Sequence, residues 1–124
     1  MNIEDLTIKQ ARELASMFGA QTRPAINSGL IGKYVIVRCR DAGVHAGVLQ
    51  DHNGREALLT DARRLWYWKP ANGQKFLSGV AVAGLHADSK VGAAVSKILL
   101  TETCEIIKCS TLAEKSIMKA KNDE

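Results

Sequence analysis

Residues 34–69 constrain the fold of this chain more than any other stretch. They read YVIVRCRDAGVHAGVLQDHNGREALLTDARRLWYWK. Apolar and polar residues alternate here with a period of two, the spacing of a half-buried strand rather than a helix. Over residues 34–40, Val35, Val37 and Cys39 share one face, and Tyr34, Ile36, Arg38 and Arg40 share the other. Asp41-Ala42-Gly43 reads as a turn. A second strand follows over 44–51, with Val44, Ala46 and Val48 on one face and His45, Gly47 and Leu49 on the other. Asn53-Gly54 suits a type I′ hairpin, because both residues tolerate positive φ. Third and fourth strands are expected over 55–59 and 63–69, completing an antiparallel meander.

The flanks read differently. Residues 6–18 place Ile8, Ala11, Leu14, Ala15 and Phe18 on one helical stripe, with a Thr7/Gln10 capping box and a stop at Gly19. The loop over 20–29 lets that helix dock away from the sheet, on another subunit. After the meander, 70–73 is a turn and 76–85 is weakly helical, interrupted by Gly79 and Gly84. Residues 86–94 read as a loop, and 96–101 and 105–109 as strands. A second capping box, Thr111 with Glu114, opens a short helix through about residue 120, before a frayed KNDE tail. The expectation is one α+β domain over 1–124. It has an antiparallel sheet of five or six strands, a β-rich core over 33–110, and short N-terminal, middle and C-terminal helices.

Charge and cysteine content narrow the function. The net charge of +4 favours anionic partners without demanding nucleic acid. Within 33–69, seven basic residues (Lys33, Arg38, Arg40, Arg55, Arg63, Arg64, Lys69) stand against four acids (Asp41, Asp51, Glu56, Asp61). That excess suits a small anion better than a duplex, which meets a broader basic face. Cys39, Cys104 and Cys109 have no metal-ligand spacing with one another or with His45, His52 and His86, so no metal or cofactor is expected. They read as free thiols in a reducing compartment. The first ten residues lack a signal-peptide core, and no apolar run reaches the ~20 residues of a membrane-spanning helix. The expected location is the cytoplasm, with no membrane partner.

Two constellations carry the binding chemistry. On one strand face, Arg64, Trp66 and Trp68 combine a guanidinium with two indoles; Lys69 lies on the other face. Such groups can fork a phosphate and stack on a base. The competing reading is that one face is core and the arginines snorkel or pair with Asp61 and Glu56. In AGVHAG, His45 sits among small neighbours that leave room for an approaching ligand. No nucleophile motif and no phosphate-binding glycine loop is present, so the reading is a non-enzymatic binder. The expected ligand-binding residues are Arg38, Arg40, His45, Arg64, Trp66, Trp68 and Lys69.

The segments YVIVRCRDAGVHAGVLQ, DARRLWYWKPA and KILLTETCEIIKCS resemble a family of small, uncharacterised phage-encoded proteins. The A-G-V-H-x-G and A-R-R-x-W-Y-W elements carry that resemblance, over residues 33–110. It implies a phage or prophage origin, in the cytoplasm of a host cell, and transfers no catalytic residue. Small phage proteins include sponges, oligomers that sequester host nucleotide signals without cleaving them. The expectation is therefore a homo-oligomer that binds a small nucleotide-like anion to counter host defence. The alternatives are a single-stranded nucleic-acid binder and a protein-interaction or inhibitor module.

Overall fold

The computed structural model describes residues 28–122. The expected N-terminal helix, its capping box, its docking role and most of the 20–29 loop lie outside the described residues, as does the end of the tail. Within them the protein is α+β: a six-stranded antiparallel sheet with two helices. The elements are β1 (Tyr34–Cys39), β2 (Val44–Asn53), β3 (Glu56–Tyr67), α1 (Leu77–Ala83), β4 (Lys90–Val91), β5 (Val95–Leu100), β6 (Thr103–Lys108) and α2 (Thr111–Lys119).

The alternation in β1 is realised, and both of its faces are buried. Val35 and Val37 join Leu49, Leu59 and Leu100 in one apolar cluster. Tyr34 and Ile36 join Ala46, Leu65, Val80 and Ile117 in a second, beneath the helices. Each such fully buried aliphatic side chain contributes about 1.5–3 kcal/mol, and β1, β2 and β3 all supply residues to both cores. The sheet curls around the first cluster. β5 pairs with β3 and β6 pairs with β1, yet only residues 101–102 separate β5 from β6. The Arg40 amide donates to the Glu102 carbonyl at 2.9 Å, and the Thr103 amide donates to the Arg55 carbonyl at 2.9 Å. These bonds draw together the end of β1, the β2–β3 turn and the β5–β6 link.

Several local expectations change. The third and fourth strands are one, β3, because no turn interrupts it. The pattern breaks instead at a bulge: Ala46 opposes Arg63 while Val48 opposes Thr60, which leaves an extra residue on β3. Asp61 there has φ 50°, a left-handed backbone within an extended strand. The β2–β3 loop is Gly54-Arg55, flanked by the Asn53↔Glu56 pair. Only Gly54 has positive φ, so the two positive φ values of a type I′ turn are absent. The 86–94 loop contains β4, which pairs Val91 with Leu65 and buries it. The final helix is capped one residue earlier than Thr111. Ser110 is extended, and its Oγ accepts from the Ala113 amide at 3.0 Å and donates to the Val82 carbonyl at 2.7 Å. One hydroxyl thus caps α2 and ties it to α1.

Arg63, half of the ArgArg pair, is 5% exposed. Its Nε donates to the Gly92 carbonyl (2.9 Å), and its Nη1 to those of Ile117 and Ala120 (2.7 Å each). Its Nη2 donates to Asn122 Oδ1 at 2.8 Å. A helix C-terminus leaves carbonyls unsatisfied and partially negative, and a buried guanidinium meets both needs.

All three cysteines are free; Cys39 and Cys109 are buried and Cys104 is exposed. No helix among the described residues is long and apolar enough to cross a membrane.

Candidate ligand-binding site

Register decides which candidate side chains can meet. Directly opposed residues in a sheet project to the same side. His45 opposes Arg64, and Val37 opposes His45, so His45 and Arg64 share the face of the first apolar cluster. Arg38 opposes Val44 and lies on the other face, toward the helices. The seven candidates therefore do not form one site.

His45 serves the fold. It is 5% exposed, and its Nε2–H donates to the Ala42 carbonyl at 2.9 Å, bracing the turn between β1 and β2. Burial lowers its pKa, the Ala42 bond opposes that shift, and the charge of Arg64 adds to the lowering. The small neighbours make room for protein rather than ligand. A Cβ on Gly47 would lie 2.8 Å from the Thr60 carbonyl oxygen and 3.0 Å from Ala62 Cα, because the β3 bulge crowds that position. Arg64 is exposed, with Nη2 3.4 Å from where a Gly43 Cβ would stand. The half-exposed Trp66 has Lys90 Nζ 5.2 Å from its ring centre, a cation–π contact. Arg40 and Lys69 are exposed, and the Lys69 amide donates to Ser89 Oγ at 2.9 Å.

Two candidates do share a concavity. Arg38 and Trp68 line a cleft of about 390 Å³ together with Lys75, Phe76, Ser78 and Glu105. Its volume falls in the range of small-molecule sites, roughly 300–1,000 Å³. β1 and β6 supply Arg38 and Glu105 as an opposed pair, joined Nε to Oε1 at 3.1 Å. Trp68 follows β3 and packs part of its surface on the helix-side core. Lys75 and Phe76 arrive from the segment before α1. The Pro70↔Leu85 bridge and the Ala71 amide bonded to the Gly84 carbonyl (3.0 Å) fold that segment back on itself. Phe76 is 75% exposed, so its ring is open to a ligand rather than spent in the core. Two cations against one carboxylate leave the cleft net positive, and two aromatic side chains line it.

Sequence reasoning missed Lys75 and Phe76 because both lie outside the 34–69 stretch. The available signal was an exposed aromatic beside a lysine immediately before a weak helix. A larger hollow of about 480 Å³ lies against the end of α2 and is lined by His86, Ser89, Ser116, Lys119 and Lys121 among others. Its lining holds no Trp, Tyr or Phe and none of the seven candidates.

Residues 32–117 match the model of a family described as "Domain of unknown function (DUF6948)". The matched stretch holds all six strands, α1 and most of α2, and every residue of the cleft. No curated protein matches the chain.

Proposed function

The chain belongs to the DUF6948 family, and on that premise we propose that it is a non-enzymatic binding protein for a small nucleotide-like anion. The carrying observation is the cleft in which Arg38 and Lys75 stand beside Trp68 and Phe76. Arg38 offers a planar fork for phosphate oxygens, and Lys75 a mobile point charge. The open Phe76 ring and the part of Trp68 that lines the cleft offer surfaces for a base, with stacking worth about 1–3 kcal/mol per base. Glu105 holds Arg38 in place and can accept from a ribose hydroxyl or a base amino group. The resemblance to phage products supports a role in sequestering a nucleotide-derived signal against host defence. A homo-oligomer is part of the proposal. Edge strand β5 supports it, because β5 exposes Val95 and Leu99 and pairs on one side with β3.

Native mass spectrometry of protein taken from infected cells tests this reading. The expected spectrum shows an oligomer carrying a nucleotide-sized mass released by denaturation. Titration of the recovered ligand at rising salt distinguishes it from single-stranded nucleic acid, whose affinity falls steeply with salt. A protein that carries no ligand and binds only long strands, with a steep slope, contradicts the proposal.

A further inference from the structure

Among the described residues, the helix-side face of the sheet is covered only in part. Val48 opposes Tyr34 and Thr60, Thr60 opposes Lys97, and Leu58 opposes Leu99, so these side chains lie on that face, beyond the core under α1 and α2. Val48 still packs on that core, whereas Leu58 is half-buried and Leu99 is 54% exposed. Met118, in the last turn of α2, is 60% exposed and lines a hollow with Val48. An apolar strip therefore runs from the flank of α2 across β2 and β3 to β5. At its far end is a hollow of about 170 Å³ lined by Asp51, His52, Asn53, Glu56, Leu58 and Leu99.

The position of the chain and its charge point to an occupant. The described residues begin at this strip: Ser28 Oγ stands 3.2 Å from Nε2 of His52, in the wall of the hollow. The preceding sequence carries an apolar stripe at helical spacing, Ile8, Ala11, Leu14, Ala15 and Phe18. A helix over 6–18 is marginal in water until that stripe is covered, since isolated helices shorter than ~12–15 residues gain little. Residues 19–27 reach about 30 Å when extended, and β2 and β5 lie only about 10 Å apart, two strand spacings. So short a tether holds the stripe at an effective concentration of order millimolar, which favours its own chain over a second copy at micromolar concentration. Arg12 stands one helical turn after Ile8, at the border of the stripe. Asp51 and Glu56 line the hollow, and among the described residues no ion pair joins either to a cation.

We infer that residues 6–18 dock as an amphipathic helix on the strip formed by Val48, Leu58, Leu99 and Met118 of their own chain, with Arg12 toward Asp51 and Glu56. The strip shares no residue with the Arg38–Trp68 cleft, and docking on it leaves the outer backbone edge of β5 open.

Paramagnetic NMR on the full chain tests this. A nitroxide is attached at Gln10→Cys in a Cys104→Ser background, where the remaining cysteines, Cys39 and Cys109, are buried. The expected result is strong relaxation enhancement at the amides of Val48, Leu58 and Leu99. It persists when the isotope-labelled, spin-labelled chain is diluted into an excess of unlabelled chain without the nitroxide. Leu14→Ser with Phe18→Ser, which leaves the sheet untouched, reduces the enhancement severalfold, and so does Leu99→Lys. Leu112→Ser, at an exposed position of α2 outside the strip, leaves it unchanged. Absence of enhancement, its loss on dilution (which assigns the docking to a second copy), or its persistence in either the Leu14/Phe18 or the Leu99 variant overturns the inference.

Discussion

Arg63 Nη1 donates to the carbonyl of Ile117 at 2.7 Å, joining the middle of β3 to the last turn of α2 across 54 residues of chain. With the bonds to Ala120 and Gly92, this guanidinium completes the C-terminal end of α2 and fixes that helix on the sheet. Replacing Arg63 with Met keeps the stem but removes the charged donor from those carbonyls, that of Ile117 keeping the Ala120 amide at 3.2 Å. The expected loss is about 3 kcal/mol, since a hydrogen bond to a charged group contributes about 1.5–3 kcal/mol and unsatisfied acceptors add to the cost. Arg63→Lys restores only part of it, because a point charge cannot reproduce a planar fork. Urea unfolding midpoints read both changes, and a Met variant as stable as wild type refutes the capping role.

Gly47 is required by the bulge in β3. Gly47→Ala drives a Cβ into the Thr60 carbonyl and Ala62 Cα, and the expected loss is about 1–3 kcal/mol. Gly54→Ala provides the contrast. Its Cβ meets open space, and only the positive φ of 58° opposes it, at about 1–2 kcal/mol. Thermal melts should therefore show the larger shift for the position with ordinary φ. The reverse order would contradict the crowding.

His45 couples stability to acid pH. Its folded-state pKa lies below the ordinary 6.5, chiefly through burial, so the unfolded chain binds its proton more readily. Stability from this residue is fully present above pH ~6.5 and is lost progressively as pH falls toward and through the lowered value. His45→Gln should flatten the slope of unfolding free energy against pH in that window. An unchanged slope in the variant would show that another group causes it.

The thiols should differ in reactivity. Burial and the nearby Glu114 charge push Cys109 up to about 12, and burial and Cys104 raise Cys39. Cys104 is exposed. Iodoacetamide on native protein should label Cys104 first, with Cys39 and Cys109 modified only on unfolding. Equal labelling of all three in the folded state is the opposing result.

The alternation from Tyr34 to Cys39 is readable because each face answers to a period of two, and the order β1-β2-β3 follows from short turns, whereas the pairing of β6 with β1 does not. The division of β3 into two strands was a misreading at Asp61, where the pattern slips by one residue. A bulge and a turn break periodicity alike in sequence. The role of Arg63 could not be read, because its partners are backbone carbonyls, which every residue possesses. His45 looked like a ligand group among small neighbours, but those neighbours make room for the adjoining strand. For the cleft, Arg38 and Trp68 were named from composition and face. Lys75 and Phe76 were not, because only the folding back of residues 70–85 brings them to β1 and β6. Arg38 and His45 were grouped together because a register is not written in either strand alone.

The most direct measurement of the cleft's role is calorimetric titration with cyclic di- and trinucleotides and ADP-ribose derivatives. It is run on wild type, Arg38→Ala, Lys75→Ala and Arg64→Ala. The account predicts a panel member that binds wild type tighter than millimolar. Arg38→Ala should weaken it by about one to two orders of magnitude, as loss of a charge-assisted bond of about 1.5–3 kcal/mol requires. Lys75→Ala should weaken it in the same direction, and Arg64→Ala, on the opposite face of the sheet, should leave it unchanged. No binding by any panel member, or a loss in Arg64→Ala greater than in Arg38→Ala, would contradict the assignment of the cleft.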